Sequence, residues 1–212
     1  MDTEKQSPAE EIANIVSHGL GLLAAIAATP VLLLTLDRKG EFINVVTGGV
    51  FAATMVLLYL ASTVYHALPR GRIKQLFLKL DHGAIYLFIA GSYTPFALGV
   101  LESTRGWILF GIIWALAATG LLLRGLDRLS HPYLATGLYL AMGWLVVVVA
   151  WPLFQRLPSI SLYWLVAGGM AYSLGVVFFL LDNRLRFSHL VWHLFVMAGS
   201  TCHFLAVLWH LG

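Results

Sequence analysis

Between its charged residues the chain holds seven almost charge-free runs, residues 12–36, 42–68, 82–101, 106–123, 129–155, 157–181 and 187–212. Each is long enough to cross a bilayer as a helix, which takes about 20 residues. Segments such as VVVVAW and VVFFLL are apolar at every position, whereas a membrane β-barrel alternates apolar and polar side chains. Helices are therefore expected. Only 11% of the residues are charged and 59% are hydrophobic, more apolar matter than a soluble core of this size can bury, so the excess must face lipid. Seven spans leave only short tails and loops. The expected architecture is an all-α polytopic membrane protein, a seven-transmembrane helix bundle. Residues 1–11 form a short tail and helix start, and residues 12–212 form a single membrane domain.

The N-terminal MDTEKQSPAEE lacks a basic region followed by a short apolar run and a small-residue cleavage site, so the first span is expected to stay in the protein. Ser7-Pro8-Ala9-Glu10 carries the pattern of a helix start, with Ser7 as N-cap, Pro8 in the first turn and Glu10 closing a capping box. Polar turns at 37–41, 68–72 and 182–184 make successive helices antiparallel neighbours. Pro30, Pro95 and Pro152 fall within or near the ends of spans and are expected to mark kinks or helix ends. The single cysteine, Cys202, excludes an internal disulfide and a thiolate metal site.

Loop charges orient the bundle. With seven spans, the N-terminal side carries Lys5, Arg70, Arg72, Lys74, Lys79, Arg124, Arg128, Arg184 and Arg186, against Arg38, Lys39, Arg105 and Arg156 on the other. Nine basic residues against four are expected to hold the N-terminus in the cytoplasm and the C-terminus outside. The net charge of +3 follows from these loops and gives no reason to invoke nucleic acid.

Polar groups inside lipid are expensive, so their placement is informative. Ser62 and His66 lie four residues apart near the inner end of the second span, Asp81 lies at the start of the third, and His189 and His193 are one helical turn apart at the start of the seventh. Eight histidines in 212 positions produce roughly 0.3 such pairs by chance, so the His189–His193 spacing is weak alone. Chance explains poorly that His66, Asp81, His189 and His193 come from three spans and share one depth. Three imidazoles beside a carboxylate suit zinc, whose catalytic sites use three protein ligands and a water. Calcium or magnesium would require more oxygen donors. Each residue taken singly is also explained as an interfacial side chain reaching for water. Glu11, Asn14 and His18 line one face of the first span's entry, where hydrogen bonding to the metal ligands and simple solvation are both open. His82 is expected at the interface, His131 in a loop, and His203 and His210 in helix packing.

Glu11-x-x-Asn14-x-x-x-His18-Gly19, Ser62-x-x-x-His66, Asp81-His82-x-x-Ile85-Tyr86, Gly91-Ser92-Tyr93-Thr94-Pro95 and His189-x-x-x-His193 together resemble the motifs of the hemolysin III family. That family belongs to the progestin and adipoQ receptor group and is more distantly similar to the alkaline ceramidases. The resemblance runs from about Glu11 to Trp209 and is to the short bacterial members, which implies a role in membrane homeostasis. It further implies seven helices around a zinc ion near the cytoplasmic face, with His66, His189 and His193 as ligands. Asp81 would hold or polarise a water, with Ser62 beside it.

Three functions are compatible with these residues. A zinc-dependent hydrolase of a lipid amide or ester would use Asp81 as proton acceptor and Ser62 or the metal at the oxyanion, with a membrane lipid or free fatty acid in the bundle. A non-catalytic sensor of membrane composition would use zinc to tie helices together. A pore, the literal sense of haemolysin, is the least supported, because no span carries a continuous polar stripe.

Overall fold

The computed structural model describes residues 6–38, 40–101, 103–129 and 131–211. Lys5 and Lys39, which contribute to the loop charges, and Gly212, the end of the seventh run, lie outside the described residues. Among the described residues eight α-helices follow one another: α1 (Pro8–Asp37), α2 (Phe42–Ala67), α3 (Arg72–Thr94), α4 (Thr104–Gly125), α5 (Pro132–Trp144), α6 (Ala150–Arg156), α7 (Ser159–Leu180) and α8 (Ser188–Leu211). A π-helical segment, Pro95–Val100, extends α3, and a 3₁₀ segment, Leu145–Val149, joins α5 to α6. With these junctions counted in, seven helical stretches are long and apolar enough to cross a membrane, and no strand occurs among the described residues.

The capping box forms as the sequence predicts: the Ser7 side chain accepts from the Glu10 backbone N–H, while the Glu10 carboxylate accepts from the Ser7 backbone N–H at 2.9 Å. The other Glu10 oxygen accepts the N–H of Phe187 at 2.9 Å. Phe187 has a left-handed backbone, φ 58°, uncommon for a residue with a side chain. The start of α1 is thereby tied to the turn that launches α8.

Two spans depart from the boundaries drawn at charges. The third begins at Arg72, ten residues before the uncharged run, which places Asp81 about two and a half turns into α3 instead of in its first turn. A helix backbone tolerates lysines whose ammonium groups find partners: Lys74 is buried against Glu11, and Lys79 reaches Asp127 at 2.6 Å. The fifth span is broken. Four consecutive valines, Val146 to Val149, are stiff at χ1 and poor helix formers, and the backbone there tightens to 3₁₀ geometry. Tyr93 meets the break. Its hydroxyl lies 2.8 and 2.7 Å from the carbonyl oxygens of Met142 and Gly143 and accepts the N–H of Val146 at 2.7 Å.

Packing runs in order from α1 to α2, α3 and α4, on to α5 and α7, and returns through α8 to α1. The third span is the deepest, with 78% of its apolar window buried against 44% or less elsewhere. Outward faces are apolar: Ile12, Val16, Leu20 and Leu23 on α1 and Trp107, Ile108 and Ile112 on α4 are all exposed, the pattern of a bundle whose solvent is lipid. The ring encloses a cavity of about 270 Å³.

Candidate metal centre

The Ser7 end of the bundle gathers the polar side chains. His66 from the last turn of α2 and His189 and His193 from the first turns of α8 form a triangle, with ring centroids 5.1, 5.1 and 4.7 Å apart. One ligand atom from each lies within 4.8 Å of the others, and all three residues are buried. These three histidines are close enough to hold a metal ion.

Hydrogen bonds settle which nitrogen each ring offers. His66 Nδ1 lies 2.7 Å from a Glu11 carboxylate oxygen, and His189 Nδ1 lies 3.1 Å from an Asp182 carboxylate oxygen. An ionised carboxylate only accepts, so both rings carry their proton on Nδ1. His193 Nδ1 lies 3.0 Å from Ser17 Oγ, whose own proton is donated to the Asn14 carbonyl at 3.0 Å. Ser17 therefore accepts from His193 as well. All three rings keep the Nε2 lone pair, and buried His66 Nε2 has no hydrogen-bond partner among the described residues. A buried, unpartnered nitrogen is costly unless something satisfies it, and nitrogen donors braced through their other ring N–H are the usual form of a metal-binding histidine.

Glu11 does double duty, since its second oxygen accepts from Lys74 Nζ at 2.8 Å. Lys74 also donates to the Leu68 carbonyl at 3.1 Å and lies over the Tyr65 ring, 4.9 Å from its centroid. Asn14 is fully buried and donates to the Gln6 side chain at 3.1 Å; Gln6 in turn reaches Asp182 at 3.3 Å. His18 stacks flat on His193 with centroids 3.4 Å apart, and its Nδ1 lies 2.7 Å from Ser62 Oγ. Of the two possibilities open for Glu11, Asn14 and His18, solvation does not hold for Asn14 and His18, which are buried. Glu11 is hydrogen-bonded directly to a candidate ligand.

Asp81 and Ser62 are buried and line the cavity beside His18, His189 and His193. The structure thus brings together all eight side chains named from the sequence. His82 is not merely interfacial: it lines the same cavity and pairs with Arg124, while its carbonyl accepts from Tyr139 at 2.9 Å. His131 is an exposed residue preceding α5. Four residues in the network are not singled out by the sequence, among them Gln6, a polar residue ahead of α1 that bridges Asn14 and Asp182. Ser17 lies one helical turn from Asn14 on the same stripe and was findable by periodicity. Asp182 looks like an ordinary turn carboxylate, and Lys74 like an ordinary loop cation.

The sequence matches the family described as haemolysin-III related over residues 6–204. It is 41% identical over 202 residues to Hemolysin-3 of Bacillus cereus, covering 95% of this chain and 92% of that one. The Hemolysin-3 homolog of Bacillus subtilis is 38% identical, covering 95% and 94%. The monocyte to macrophage differentiation factor of Homo sapiens is 30% identical, covering 93% and 83%. No solved structure matches. Agreement with bacterial relatives over nearly their whole length, in a chain whose helices are long enough to cross a membrane seven times, leaves one assignment: this integral membrane protein belongs to the haemolysin-III-related family.

Proposed function

We propose that the protein is a zinc-dependent hydrolase of a lipid amide or ester that serves membrane lipid homeostasis, working near the cytoplasmic face of a bacterial plasma membrane. One observation carries the reading: the cavity that ends at Asp81, Ser62, His189 and His193 is otherwise lined mostly by apolar side chains, among them Leu58, Phe88 and Val196. A slot of that kind suits an acyl chain whose polar head meets the histidines. Trp144, Val147 and Val166 line the cavity and are also exposed on the lipid-facing surface, which suits a ligand arriving sideways from the bilayer.

The donor set of three neutral imidazoles fits zinc, with His66, His189 and His193 as ligands. Zinc bound there would bring the pKa of a water towards neutrality and polarise a carbonyl. Asp81 accepts the proton of the attacking water and returns it to the leaving amine or alcohol. Ser62, held by His18, offers its hydroxyl to the charge that develops on the carbonyl oxygen. Apolar walls exclude bulk water and so strengthen each of these interactions.

The test is Asp81→Asn, read as fatty acid released per bound zinc from ceramide-like and other acyl lipids. Zinc content should persist while hydrolysis falls about a hundredfold or more, the scale of losing a general base. Should wild type release no more fatty acid than a metal-stripped control, a zinc-bound membrane regulator without turnover would replace the hydrolase.

A further inference from the structure

The cavity carries polar groups at two levels along α8. Among the residues lining it, those with buried polar atoms lacking a well-formed hydrogen bond are His18 at the metal-centre end and Tyr172 and His203 farther along α7 and α8. Neither ring nitrogen of His203 nor the Tyr172 hydroxyl makes a well-formed hydrogen bond among the described residues; the polar groups beside them are the Leu165 backbone and the Ser200 side chain. The rings meet edge to face, with centroids 5.3 Å apart. The slot for His203 is built by Gly168, since a Cβ at that position would collide with the imidazole. The ring nitrogens are shielded from solvent, and an imidazole there gains from a well-formed hydrogen bond that the Leu165 backbone alone does not supply. Leu162, Leu165 and Val196 also line the cavity and are apolar. A cavity of about 270 Å³ is several times the roughly 30 Å³ of one water, so a single water would leave most of it empty.

We infer that His203, with Tyr172, is a second polar subsite that selects acyl lipids bearing a hydroxyl in mid-chain. This rests on the lipid-ligand reading above and names the substrate class within it. His193 and His203 are ten residues apart on α8, about 15 Å along a helix, which is the reach of an extended chain of about a dozen carbons. A secondary hydroxyl both donates and accepts, matching a neutral imidazole on one side and a phenol on the other. An unsubstituted chain would bury the same apolar length but add no hydrogen bond to His203 or Tyr172.

The test is equilibrium binding to the purified full chain in lipid nanodiscs, comparing octadecanoic acid with the same acid hydroxylated at its second or its twelfth carbon. Wild type should prefer the twelfth-carbon hydroxyl about tenfold over the plain acid, the scale of one or two buried hydrogen bonds, and should show no such preference for the second-carbon hydroxyl. His203→Leu should bring the plain and twelfth-carbon acids to within about twofold, and Tyr172→Phe, which keeps the ring, should narrow the gap. Equal affinities in wild type, or a preference that survives His203→Leu, would overturn the subsite while leaving the lipid-ligand reading in place. Failure of all three acids to bind would overturn both. The wild-type comparison of hydroxyl positions stands whether or not the His203 variant folds.

Discussion

Each histidine of the cluster is defined by what its Nδ1 touches: Glu11, Asp182 or Ser17. These contacts occupy Nδ1 and leave Nε2 of each ring to bind, and one ligand atom from each ring lies within 4.8 Å of the others, so the partners should matter to metal affinity without being ligands themselves. Glu11→Gln keeps size and shape but removes the charge that both His66 and Lys74 use. It should weaken zinc binding about ten- to hundredfold, measured by competition with a chromophoric chelator. Unchanged affinity would show that Glu11 serves only the buried Lys74. His66 was legible in the sequence because ionisable groups in apolar runs are rare and stand out, and Asp81 because it opens the third span at the depth the histidines share. Asp182 and Lys74 were not, because a charged residue beside a turn looks the same whether it is solvated or folded inward.

Helices α3 and α5 show what an element takes from its neighbours. Seven apolar runs follow from the hydrophobic pattern alone, but cutting them at charges cannot tell a loop lysine from one that pairs inside the bundle, as Lys74 does with Glu11. The break at Leu145–Val149 escaped notice for a different reason. Its valines suit a lipid-facing helix as well as a tightened turn, and what stabilises the turn is Tyr93, about fifty residues away in sequence. Tyr93→Phe removes one hydroxyl that serves two carbonyls and an N–H, leaving them unsatisfied at the edge of the cavity. It should cost about 1–3 kcal/mol of stability, read as a lower melting temperature in detergent. Full stability in Tyr93→Phe would mean that the break is held by packing alone.

At the scale of the whole molecule, the ring of helices converts scattered sequence positions into one polar end and an apolar interior. Antiparallel order made the common depth of His66, Asp81 and His189 foreseeable, whereas the flat stacking of His18 on His193 required the helices' actual rotation. Orientation in the membrane is a separate expectation that rests on loop lysines and arginines. A reporter fused after Gly212 should be active outside the cytoplasm, and one placed in the Pro69–Lys74 loop should be active inside; the reverse pattern would put the metal centre in the outer leaflet. The account as a whole turns on three imidazoles from α2 and α8 acting as a metal site. Its most direct test is metal analysis of the purified protein beside a His189→Ala, His193→Ala double variant, with folding checked by circular dichroism. About one zinc per chain is expected in wild type, and the loss of most of it in a variant that retains its helices. Equal zinc in the two proteins, or none in wild type purified without chelator, would contradict the account.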